Sequence, residues 1–147
     1  MQKEILVKAL YRYPQKKMPA VEEATLHWLE GEGIEGDCHS DGGDRQISLL
    51  SMEMREWMKA QEKPGFCFKK YKENLLLDGE AFQNLRPGMQ LFIGETILEI
   101  TEASKSCHPE LCRLAETGAC HMAGSSLFAK VIKGGLIWKD TVCKIEY

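Results

Sequence analysis

Short runs of β-forming residues, each stopped by a glycine-bearing turn, are the feature that most restricts the fold of this chain. "EILVKALYRY" (4–13) reads as a strand, with Ile5, Val7, Ala9 and Tyr11 on one face and Leu6 and Leu10 on the other. Pro14 and Pro19 bracket a basic turn. "AVEEATLHWLEG" (20–31) reads as a second extended segment, although Glu22, Glu23 and Ala24 also suit a helix. "GEGIEGD" places three glycines in six positions, so the backbone there needs unusual torsions or a close approach to something. "RQISLLS" is a further strand. Ser51 then caps a helix over "SMEMREWMKAQ", whose Met54, Trp57 and Met58 fall at helical spacing and read as core packing. Pro64 and Gly65 end it.

Beyond that point "FCFKKYKENLLL" reads as extended. "LRPGMQLFIGETILEITEAS" has the form of a hairpin, with Leu91 to Ile93 and Thr96 to Thr101 meeting at Gly94-Glu95. "SLFAKVIKGGLIWKDTVCKIEY" gives two more strands around Gly134-Gly135. No regular strand-helix alternation appears. The pattern therefore predicts a mainly-β fold, a closed or partly open barrel with a few short helices, in which closure would hide the sheet edges. At 147 residues without a linker or repeat, residues 1–147 fit one domain.

Charge and composition narrow the function. A net charge of -3 disfavours a nucleic-acid or anionic-membrane surface. No apolar run approaches a membrane span, and "MQKEILVKALYRY" lacks the apolar core of a signal peptide, so a cytoplasmic protein is expected. There the six cysteines should be mostly reduced, and a disulfide framework is a poor explanation for them.

"SKSCHPELC" (104–112) and the Cys120-His121 pair concentrate the thiols. Cys107 stands beside His108 and Lys105, and Pro109 can start a helix over "PELCRLAET" that would place Cys107 just before a positive N-terminus. Such a setting lowers a thiol pKa, which a reactive cysteine requires. A buried inert cysteine is the plain alternative. Cys107, Cys112 and Cys120 with a nearby His also supply ligands for zinc or iron, although no second Cys-x2-Cys pair exists. Cys112 and Cys120 can equally be resolving partners of Cys107. Cys38, Cys67 and Cys143 are isolated and read as packing residues.

Four ordered stretches together resemble the MOSC domain, named after the C-terminal domain of molybdenum cofactor sulfurases. They are "GIEGDCHSDGGDRQISLLS" (33–51), "ENLLLDG" (73–79), "LRPGMQLFIGETILEITEASKSC" (85–107) and "LFAKVIKGGLIWKD" (127–140). The match covers nearly the whole chain and has the spacing of the small stand-alone members. The resemblance implies a β-barrel, a role in handling molybdenum cofactor (molybdopterin) or its sulfur, and the family cysteine at Cys107, as persulfide carrier or molybdenum ligand. Partners would be a cysteine desulfurase or an electron-donor protein. Pyridoxal phosphate would belong to a fused or partner sulfurase, not to this chain. Some members of the wider family resemble reductases of N-hydroxylated compounds, and a non-catalytic cofactor carrier would use the same pocket. Two positions depart from the pattern: Lys139-Asp140 replaces Gly-Asp, and Asp44 stands where many small relatives carry His.

An anionic pterin with a phosphate needs amide donors, basic groups and polar side chains. The 33–43 loop, including Gly36, can supply the amides. Arg45 can fork onto phosphate, Gln46 can bond a ring amide edge, and His39 can bond the cofactor or move a proton. Asn74 is expected at the site too, or as a brace holding the glycine loop by backbone hydrogen bonds. Lys130 and Lys133 can attract the phosphate, though the alternation of "FAKVIK" more simply puts them on a solvent face. Asp37 is expected to fix its own turn, and Arg45 can instead pair with Asp44 or Asp41.

Overall fold

The computed structural model describes residues 4–16, 18–38, 42–43, 46–60, 73–103 and 126–146. Eleven strands and one α-helix are formed among them: β1 Glu4–Arg12, β2 Val21–Glu23, β3 Thr25–Leu29, β4 Gly33–Ile34, β5 Ile47–Ser51, α1 Met52–Ala60, β6 Leu75–Asp78, β7 Gln90–Ile93, β8 Thr96–Ala103, β9 Ser126–Lys133, β10 Gly135–Trp138 and β11 Val142–Glu146. A 3-10 turn, Glu80–Asn84, follows β6. The order β11-β7-β8-β9-β5-β6-β1 closes by pairing β11 with β1, giving the expected mainly-β barrel, here of seven strands. Only β5 and β6 run parallel, joined through α1, and every other barrel pairing is antiparallel. None of the described helices is long and apolar enough to cross a membrane.

Alternation fills the barrel. Leu49, Leu75, Leu77, Leu91, Ile93, Leu98, Ile100, Ala129 and Val131 belong to one core. Burying a Leu or Ile side chain of this kind contributes about 1.5–3 kcal/mol. In β1 the simple alternation fails. Val7 pairs with Leu77 and Ala9 with Leu76, so Lys8 is the extra residue of a β-bulge. Ile5, Val7 and Leu10 therefore face inward, while Ala9 and Tyr11 turn outward toward a second cluster. The faces assigned from strict period two hold only up to the bulge.

That second cluster seats α1. Met54, with Trp57 and Met52 partly buried, packs on Leu50, Leu76 and Phe128 from outside the barrel. Ser51 caps the helix as expected, its Oγ accepting the Met54 N–H at 3.0 Å. The Gly94-Glu95 hairpin is also as expected: Ile93 faces Thr96, and Gly94 at φ 58 takes the first central position of a II′-type turn. Residues 20–31 form strands rather than a helix. The extended reading of residues 66–72 lies outside the described residues.

The stretch after Gly134 differs from expectation. It holds a third strand, β11, beyond the two anticipated, and β9 and β10 do not pair with each other. β10 leaves the barrel to join β3 and β4 in a separate three-stranded sheet. Gly134 makes the corner, since a Cβ there would sit 2.4 Å from the Trp28 carbonyl oxygen. Leu26, Trp28, Ile34 and Ile137 on the inner face of this small sheet join the main core.

Candidate functional site

β5 and β6 are parallel, so the segments leading into them reach the same end of the barrel. Asp37, Gln46 and Asn74 all stand at that end. The glycine-rich turn after β4 is held there first by Arg12. Gly36 has φ +81, and the Arg12 guanidinium occupies the space beside it, with Nη1 3.2 Å from where a Cβ would be. Arg12 donates to the Gly36 carbonyl at 3.3 Å and pairs with Glu23 at 3.3 Å. A side chain at position 36 would have to displace this cation.

Asp37 is 8% exposed, and its carboxylate is used internally. Oδ2 accepts the backbone N–H of Tyr13 at 3.0 Å and the Asn74 side-chain amide at 2.9 Å. Its own N–H closes a turn on the Ile34 carbonyl, and Cys38 N–H donates to the Tyr13 carbonyl at 2.7 Å. Asp37 does fix its turn, but by reaching across to β1 and to the residue that starts β6.

Asn74 completes the brace. Its Nδ2 also donates to the Tyr11 carbonyl at 3.2 Å, and its Oδ1 accepts the Ser48 N–H at 3.0 Å. Its backbone adds bonds to Ser48 and Tyr11, each 2.8 Å. Both donors of the amide are thereby spent inside the protein. The position uses an amide's full capacity, two donors beside a carboxylate and a carbonyl and an acceptor for Ser48 N–H. The neighbouring Tyr13 hydroxyl donates to the Glu73 carbonyl at 3.0 Å, and Glu73 forms an ion pair with Arg55 of α1. Burial pushes the Tyr13 phenol up to about 12, with the Arg55 charge opposing and the Asp37 charge adding to the rise.

A second brace stands where the loop returns. Gln46, 3% exposed, accepts the Val131 N–H at 2.9 Å and donates to the Gly31 carbonyl at 3.3 Å. Cys38 and Gln46, both held by hydrogen bonds, flank residues 39–45 in the sequence. His39 and Arg45 themselves lie outside the described residues, as do Asp41 and Asp44. Lys130 is placed elsewhere: it lies on β9 opposite Glu99 of β8 and pairs with it at 3.3 Å, both side chains partly exposed.

Cys107, Cys112, Cys120 and the histidines beside them lie outside the described residues, and so does the helix anticipated after Pro109. Among the described residues no group of three or more His, Cys, Asp or Glu is disposed to hold a metal ion. Cys143 is fully buried, and burial pushes its thiol up to about 12, so it fits the expected role of a packing residue. Arg12, Tyr13, Arg55 and Glu73 were not singled out in the sequence. Their roles come from long-range contacts, and only the termination of β1 at Arg12 hints at one of them.

No protein-family model matches the chain, and no curated protein matches it. Solved structures do. The YuaD protein from Bacillus subtilis superposes with a TM-score of 0.76 at 17% identity, covering 99% of this chain and 97% of that one. YiiM from Geobacillus stearothermophilus gives 0.66 at 15% identity, covering 97% and 75%. YiiM from Escherichia coli gives 0.57 at 19% identity, covering 100% and 70%. At these identities the likeness shows the fold alone, a β-barrel shared over nearly the whole of this chain.

Proposed function

We propose that this chain is a small MOSC-type protein that binds molybdenum cofactor or carries sulfur destined for it, with Cys107 as the working thiolate. The observation that carries the proposal is the double brace on the 39–45 loop. Asp37 and Gln46 are buried polar side chains whose hydrogen bonds fix the two ends of one short loop. Burying polar groups costs free energy that apolar residues would not, so this expenditure suits a loop that must present side chains accurately. The sequence between these two braces carries His39 and Arg45.

The described residues fit an anionic ligand at the rim of that loop. The exposed Gly36 turn offers close backbone approach, and the Arg12 guanidinium beside it offers a cation held by long bonds of 3.3 Å. Arg12 and Arg45 would meet the phosphate, His39 and the loop amides the pterin, and Cys107 the metal or the transferred sulfur. Gln46 and Asn74 act through the loop, their amides being engaged within the protein. Lys130 contributes charge at most from a distance. When bound, the cofactor supplies a molybdenum centre able to change oxidation state and exchange oxygen or sulfur ligands.

As a sulfur carrier the chain needs only its thiolate and a persulfide donor such as a cysteine desulfurase. The Cys107 thiolate attacks the outer sulfur of the donor persulfide; a new S–S bond forms and the donor cysteine leaves as thiolate. A reducing cytoplasm keeps Cys107 free for this. The test is incubation with a desulfurase and 35S-cysteine, followed by gel autoradiography without reductant. Label on the parent chain that is lost in Cys107→Ser and retained in Cys112→Ser supports the reading. Equal labelling of parent and Cys107→Ser rejects it.

A further inference from the structure

We draw no further inference here: the strongest candidate, the surface patch that Leu136 and Trp138 expose on β10 of the small three-stranded sheet, carries nothing because no feature of the described residues shows what covers it.

Discussion

Replacing Asn74 by Ala removes three side-chain hydrogen bonds at once, to Ser48 N–H, the Tyr11 carbonyl and the Asp37 carboxylate. Each neutral bond contributes about 1 kcal/mol and the charged one about 1.5–3 kcal/mol, so the loss should be about 3.5–5 kcal/mol. That is a large part of the total stability of a typical domain, about 5–15 kcal/mol. Urea unfolding followed by tryptophan fluorescence reads it directly. Asn74→Asp sharpens the reasoning. It keeps an acceptor for Ser48 N–H but sets a second carboxylate where an amide lies 2.9 Å from Asp37. Two such carboxylates share a proton in the folded state, raising proton affinity above the unfolded value of about 3.9. The folded state then binds more protons than the unfolded one, so stability must fall as pH rises from about 4 toward neutrality. Asn74→Asp should therefore be close to Asn74→Ala near pH 4 and clearly worse at pH 7. An Asn74→Ala loss below about 1 kcal/mol would show that the brace is not a strong contact. So would a pH-independent Asn74→Asp deficit.

Two further outcomes follow from other parts of the chain. Among the described residues Asp140 is the non-glycine residue with positive φ, at 69°, in the turn between β10 and β11. Asp140→Gly should stabilise by about 0.5 kcal/mol and Asp140→Val destabilise by about 1–2 kcal/mol, read as opposite shifts of the thermal midpoint. The Tyr13 phenol is pushed up to about 12 from 10.0. The folded chain keeps a proton that the unfolded chain gives up, so this contribution is complete below pH 10 and disappears as pH rises to 12. Urea midpoints should fall across that window more steeply for the parent than for Tyr13→Phe, and parallel slopes would contradict the burial of Tyr13.

Barrel class, the Ser51 cap and the Gly94-Glu95 hairpin were legible in the sequence, because period-two alternation, a capping hydroxyl and a two-residue glycine turn act over a few residues. What was not legible depends on distant contacts. The bulge at Lys8 shifts the β1 faces, and only pairing with β6 reveals it. β10 turns from the barrel to β3 at Gly134, whose adjacent Gly-Gly pair looks like an ordinary hairpin until the Trp28 carbonyl is seen against it. At the site, Gln46 and Asn74 have the chemistry of ligand-binding amides, and nothing local says that Val131, Gly31, Tyr11 and Ser48 use it. The brace anticipated for Asn74 reaches the glycine loop through its side chain, on Asp37, whereas its backbone bonds go to Ser48 and Tyr11. Lys130, offered as a phosphate partner, has a strand-to-strand Glu opposite it that alternation alone did not pair with it.

The central claim is that the braced loop and Cys107 serve molybdenum cofactor or its sulfur. Metal and pterin analysis of protein gently purified from a cofactor-producing host, run beside Cys107→Ser and paired with alkylation rates, tests it most directly. The account predicts molybdenum and pterin in proportion to the parent chain, loss of both in Cys107→Ser, and Cys107 alkylated far faster than the buried Cys143. Protein free of molybdenum and pterin, with Cys107 no more reactive than Cys143, would contradict it. Zinc bound one per chain and lost together with the fold in Cys112→Ser and Cys120→Ser would assign those thiols to a structural metal instead.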